Sequence, residues 1–280
     1  SVILSGRLKL IRKQNHIIES QKELVEEKNK DITDSINYAK KIQSAMLPRE
    51  EELKNLFPES FVFFRPRNIV SGDFYWCAER GNSLFLAVAD CTGHGVPGAM
   101  MSMIGTSLLH QLVAHPEIND LSKLLHELDR EVVRSLKQQD KDSESRDGMD
   151  IAIIEIRKNT GKLFYAAANR PLLILNENGL TELHPTKVPI GGNSTEEKIF
   201  ELQETEIKKG DRLFLFSDGY SDQFGGPKGK KLMTRNLKEL LLSTKDLAIE
   251  EQGKLAIKKF TDWQGNFEQV DDVCLVGIKI

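Results

Sequence analysis

Cysteine is scarce in this chain: Cys77, Cys91 and Cys274 are the only three in 280 residues, and no CxxC spacing occurs. That leaves no zinc framework and no disulfide-stapled core, and it fits a reducing compartment. Cys77 and Cys274 read as small buried hydrophobes. No Cys-x5-Arg loop is present, which argues against a cysteine-dependent phosphatase. A phosphate-cradling GxxxxGK(S/T) loop is missing too. No apolar run reaches the roughly 18 residues that span a bilayer, and no secretory leader is visible. Neither sign of charge is in excess: Lys+Arg is 39 against Asp+Glu 42, a net charge of -3. Nucleic-acid-binding domains are usually clearly basic, so nucleic acid is not an expected partner.

What is present is the composition of a folded protein, 39% hydrophobic and 29% charged. The expected location is the cytoplasm. The apolar start Ser-Val-Ile-Leu lacks an initiator Met and precedes Arg7, Lys9, Arg12 and Lys13. It fits equally the cytoplasmic flank of a membrane helix in a longer chain, tethered to the inner membrane.

Residues 1–47 contain no Pro and only Gly6. Ile11, Ile18, Val25, Ile32, Ala39 and Met46 recur at a seven-residue step, with Leu10, Ile17 and Leu24 beside them. Such a stripe on a charged rod looks for a partner helix. The complementary column is polar at Asn15, Lys22 and Asn29, which weakens pairing. The spacing predicts a marginal parallel coiled coil over about 8–30 and a homodimer through it. Asp31 or Thr33 is a candidate cap for a second helix, 31–47, with Ile36, Ala39, Ile42 and Met46 on one face and Pro48 ending it.

Farther on, apolar runs predict strands at 61–65, 84–90, 150–156, 162–168, 171–176, 211–217 and 272–280. Helical patterns fit 97–114, 119–138, 235–243 and 247–260. Strands follow strands, which predicts an α+β layered domain with antiparallel sheets. The stretches 139–148 and 222–231 read as loops.

Four aspartate sites stand at the edges of these runs: Gly72-Asp73-Phe74, Ala89-Asp90-Cys91, Ser217-Asp218-Gly219 and Val270-Asp271-Asp272-Val273. Each alone is an ordinary turn. Together they demand a cation, because ionised carboxylates cannot share a buried site without neutralisation. Oxygen donors without His or thiolate select Mg²⁺, Mn²⁺ or Ca²⁺.

The same residues carry a resemblance. The run Ser35-Ile36-Asn37-Tyr38-Ala39 through Ile42-Gln43 to Leu47-Pro48, then Val70-Ser71-Gly72-Asp73-Phe74-Tyr75-Trp76, Asp90-Cys91-Thr92-Gly93-His94-Gly95-Val96-Pro97-Gly98, Asp147-Gly148-Met149-Asp150, Asp218-Gly219-Tyr220 and Asp271-Asp272-Val273 resembles the SpoIIE-type branch of the bacterial PPM (protein phosphatase 2C-like) phosphatases. The resemblance implies a four-layer αββα sandwich of two antiparallel sheets at 48–280, preceded by a helical linker at 1–47. It implies a protein serine/threonine phosphatase in signal transduction. It also implies two divalent cations, Mn²⁺ or Mg²⁺, with Asp90 bridging both, the Cys91 carbonyl on one, and Asp218 and Asp271 completing the other. Asp73 then binds directly or through water, and Asp272 stands where the family has Asp or Asn, in support. Asn169 stands near the position of a third-metal Asp. A metal-activated water would attack phosphorus, and His94 is the candidate acid for the leaving oxygen. The implied partner is a phosphoprotein, with an upstream sensor acting through the N-terminal helix. Arg65 and Arg67 read either as phosphate contacts or as solvated strand-end charges. Two rivals stay open: a catalytically degenerate fold serving as a dimeric signalling scaffold, and another two-metal enzyme such as a nuclease or nucleotide cyclase.

Overall fold

The computed structural model describes residues 2–140, 145–192 and 197–280. The side chains of Leu10 and Ile11, and residues 141–144 of the expected polar loop, lie outside the described residues.

The N-terminal rod is one unbroken helix, α1 (Val2–Met46), stopped ahead of Pro48. It runs straight through Asp31 and Thr33, so neither is a cap. Instead the Ser35 hydroxyl donates to the Asp31 carbonyl one turn back, a bond made inside a continuing helix. Ile18, Val25 and Ile32 are all more than half exposed, at 60%, 56% and 57%. In the last turns the buried face is Gln43 with the half-buried Ile36, Ala39 and Met46, while Ile42 points outward. The polar residue is inside because it finds hydrogen bonds there that Ile42 could not make.

Then follow α2 (Glu50–Leu56), β1 (Ser60–Arg65), β2 (Phe74–Arg80), β3 (Ser83–Cys91), α3 (Gly95–Ala114) and α4 (Leu121–Ser135). After these come β4 (Gly148–Arg157), β5 (Lys162–Ala168), β6 (Leu172–Asn176), β7 (Gly179–Leu183), β8 (Ile190–Gly191), β9 (Gln203–Glu206) and β10 (Arg212–Phe216). The chain closes with α5 (Gly219–Asp222), β11 (Phe224–Gly225), β12 (Lys230–Lys231), α6 (Thr234–Ser243), α7 (Ile249–Gln264) and β13 (Val273–Lys279). The segment 222–231, read as a loop, holds the small β11–β12 hairpin.

Two antiparallel sheets result, one ordered β1-β13-β10-β6-β7 and the other β2-β3-β4-β5-β9 with β8 beside β4. Three apolar clusters account for the layers. Leu86, Val88, Ile154, Tyr165, Leu213 and Val276 meet between the sheets. Trp76, Phe85, Ile153 and Phe164 face α3 and α4 through Leu109, Leu121 and Leu125. Phe63, Phe214 and Leu275 face α6 and α7 through Leu237, Leu241 and Phe260. Alternate residues of β3 thus enter different cores, which is why its sequence is apolar without polar alternation. The same holds for β2, whose Trp76 and Cys77 enter opposite clusters. The αββα sandwich is as the sequence implies, and every functional segment discussed below enters from one edge of it.

Candidate metal and active site

Asp90 ends β3 and lies directly opposite Asp150 of β4 in the antiparallel register. Two like charges facing each other across a ladder repel, so the pairing needs a counter-charge. Arg170 provides it. Its Nη2 lies 2.9 Å from Asp90 Oδ2, 3.0 Å from Asp150 Oδ2 and 2.8 Å from Asp218 Oδ2. Asp90 and Asp150 come from one sheet. Asp218 follows β10 of the other, and Arg170 sits on the crossing from β5 to β6 that joins them. Asn169, held at φ 61°, donates from Nδ2 to Asp150 Oδ1 at 2.8 Å. The Asn169 amide therefore supports the Asp150 carboxylate.

Asp272 is buried, and both its oxygens accept main-chain amides, Oδ1 from Arg67 and Oδ2 from Gly72, each at 2.7 Å. It thereby ties the 67–72 loop to the segment that leads from Asp271 into β13. Asp271 Oδ1 accepts the Asp272 amide at 2.8 Å. Asp73 is 2% exposed, and among the described residues its Oδ2 has no hydrogen-bond partner. A buried carboxylate oxygen without a partner is rare, because its desolvation is uncompensated. Burial first, then Asp90, pushes the Asp73 carboxyl well above the usual carboxylate range. Burial also raises Asp271. Asp90 is pushed up to about 7 by burial, against the pull of Arg170 and with Asp218, Asp271 and Asp150 adding to the rise. Arg170 itself stays firmly charged beside these carboxylates despite its burial.

Cys91 is buried, and burial followed by the charges of Asp90 and Asp73 holds its thiol protonated. Its main-chain carbonyl is the group it offers a cation. The carbonyl lies 3.4 Å from where a Cβ on Gly72 would stand, and a Cβ on Gly98 would come within 2.3 Å of the Gly93 carbonyl. The glycines thus permit the close approach of three backbone segments. His94 is exposed just before α3, with Nδ1 3.0 Å from Asn68 Oδ1. Among the described residues no hydrogen bond or ion pair links it to the carboxylates. Arg65 lies over the Phe260 ring at 5.8 Å, and the amide of Arg67 is taken by Asp272.

The structure therefore brings Asp90 and Asp218 to one point and packs Asp73, Asp271, Asp272 and the Cys91 backbone around it. It adds Asp150 and Arg170, which sequence reasoning left out of the ligand set. Asp150 was visible in the Asp-Gly-Met-Asp motif; Arg170, beside a proline, looked like any turn cation. Among the described residues no group of three or more His, Cys, Asp or Glu side chains is placed to hold a metal ion, and the point on which Asp90, Asp150 and Asp218 converge is taken by a guanidinium. The donor chemistry nonetheless fits a hard divalent cation. All the donors are oxygens, the carboxylates outnumber the one cation, and Asp73 Oδ2 is unpartnered.

The family model described as stage II sporulation protein E (SpoIIE) matches residues 80–280. Among solved structures, the SiaA-PP2C domain of Pseudomonas aeruginosa is similar with a TM-score of 0.82 and 27% identity, over 90% of this chain and 98% of that one. The PP2C phosphatase domain, with a regulatory-domain fragment, of the cell fate determinant SpoIIE from Bacillus subtilis is similar at TM-score 0.62 and 19% identity, over 79% of this chain and 63% of that one. RsbX in complex with magnesium shares the fold at TM-score 0.54 and 15% identity, over 79% and 94%. Comparison with curated proteins returns no match. The chain belongs to the stage II sporulation protein E family, the SpoIIE-type branch of the PPM (PP2C-like) protein serine/threonine phosphatases.

Proposed function

We propose that the protein hydrolyses phosphoserine or phosphothreonine on a regulatory phosphoprotein in the cytoplasm, using two divalent cations, Mn²⁺ or Mg²⁺. The observation that carries this reading is the convergence of Asp90, Asp150 and Asp218 on one point at the edge of both sheets. Asp73, Asp271 and the Cys91 carbonyl complete the donor set, and Asp272 holds their loops in place. Bound there, divalent cations supply an activated water and neutralise charge on the phosphoryl group. His94 contributes from the exposed rim. Its Nδ1 is engaged by Asn68, which leaves Nε2 to donate a proton to the leaving serine or threonine oxygen.

Control comes through α1, as a dimeric helix coupled to an upstream sensor. The exposed Ile18, Val25 and Ile32 support the first part of this reading. The buried Gln43, near Asp73 in space, supports the second. Release of phosphate from a phosphoprotein is expected to need Mn²⁺ or Mg²⁺ and to fall at least about 100-fold in Asp90→Asn. Cation-independent release, or full activity in that variant, removes the reading.

A further inference from the structure

The metal-binding reading above leaves Arg170 unexplained. Its Nη2 stands within 3.0 Å of three carboxylate oxygens from three chain segments. A guanidinium NH₂ carries two hydrogens, so it cannot give three acceptors a linear bond each. Three oxygens converge on this one nitrogen, as they would around an ion. The rest of the guanidinium is poorly served: among the described residues its buried Nε has no partner. A buried arginine set for hydrogen bonding would use its fork in a bidentate pair. Here one nitrogen is over-used and another is stranded.

The surrounding backbone is firmly built. The Arg170 carbonyl accepts the Tyr165 hydroxyl at 2.6 Å, and its amide donates to the Ala168 carbonyl at 2.8 Å. The adjacent Asn169 and Pro171 further restrict the chain. Only the side chain is left to move. When all three are ionised, three carboxylates against one guanidinium leave two negative charges unbalanced at the point of convergence. A divalent ion would neutralise them but would be repelled by a guanidinium at the same place.

Resting on the metal-centre reading, we propose that Arg170 is a tethered cation that closes the acidic centre when no divalent ion is bound. Ion entry requires its withdrawal, so the two are mutually exclusive. Arg170 keeps the carboxylates gathered in the metal-free protein, and it sets the concentration of ion needed to load the site.

Calorimetric titration of the full chain with Mn²⁺ tests this, using wild type and Arg170→Gln. The variant is expected to bind Mn²⁺ about tenfold tighter or more, and to melt at a lower temperature without metal. Unchanged or weaker binding by the variant overturns the proposal while leaving the metal centre standing. Absence of Mn²⁺ binding in both proteins overturns the metal centre itself. A measurement on wild type alone serves should the variant not fold. Addition of Mg²⁺ is expected to speed hydrogen exchange of the Arg170 guanidinium protons at least tenfold, and unaltered exchange overturns the proposal.

Discussion

Gln43 grips Ser71 by both ends of its amide: Nε2 donates to the Ser71 carbonyl at 2.5 Å, and Oε1 accepts the Ser71 amide at 3.2 Å. Nε2 also reaches Ser102 Oγ at 2.8 Å on α3. Ser71 is two residues from Asp73, and Gly72 between them is bound by Asp272. A turn of the long helix is therefore wired to the loop that carries the buried Asp73. Gln43→Leu keeps the size and strands the Ser71 groups. It is expected to lower stability by about 1–3 kcal/mol and to reduce phosphatase activity more than does an equally destabilising substitution on α6. Thermal melting and phosphate release measured together check this; activity tracking stability alone would contradict it.

The carboxyls of Asp73, Asp90 and Asp271 are all raised by burial. A group whose folded pKa exceeds its unfolded one takes up a proton on folding, so its stabilising protonation is lost as pH rises through the folded value. For Asp90 that window ends at about 7. Without metal, Asp90→Asn is expected to gain on wild type as pH goes from 5.5 to 7.5, by on the order of 2 kcal/mol. Denaturant unfolding at the two pH values reads the difference directly.

All three thiols are buried, with Cys77 pushed up to about 12 and Cys91 and Cys274 also raised, burial being the main cause in each. Since the thiolate is the reactive form, a disulfide reagent at pH 8 is expected to label the native protein at least a hundredfold more slowly than a free thiol. The denatured chain should release three equivalents.

The stripe through Ile18, Val25 and Ile32 is exposed along one side of α1. Burial of such side chains against a second helix contributes roughly 1–2 kcal/mol each. Ile18→Glu with Val25→Glu is expected to shift the full chain from dimer to monomer in sedimentation equilibrium. A wild type that sediments as a monomer would refute the dimer.

Gly219 follows Asp218 and abuts the Asp272 carbonyl, where an added Cβ would come within 1.8 Å. The overlap is with backbone, which a rotamer change cannot relieve. Gly219→Ala is expected to cost about 3 kcal/mol or more and to weaken Mn²⁺ binding, as the segments carrying Asp218 and Asp271 are forced apart. Melting and calorimetry report the two effects.

The layered fold was legible because most of its strands are short apolar runs bounded by turn residues, and because helices and strands arrive in groups. β2 was not, since its apolar run is short and passes at Glu79 and Arg80 into charged residues. The break expected near Asp31 is missing because no glycine or proline interrupts residues 7–47, so the main chain stays helical through it. At the site, the aspartates could be read as a set because each closes an apolar run beside a turn. Arg170 could not, because its significance lies in which three chain-distant oxygens surround it. Gln43 was hidden by its polarity, which the amphipathic pattern assigned to solvent while Ile42 took its place inside.

Of the gathered carboxylates Asp90 and Asp150 belong to one sheet and Asp218 to the other, so they meet only when both sheets are packed together. Affinity for the ion is thus a property of the assembled sandwich and absent from the unfolded chain. Each tenfold rise in free cation above the dissociation constant then adds about 1.4 kcal/mol per bound ion to the folded state. The cell's supply of divalent metal would set how much of this enzyme survives as well as how fast it works.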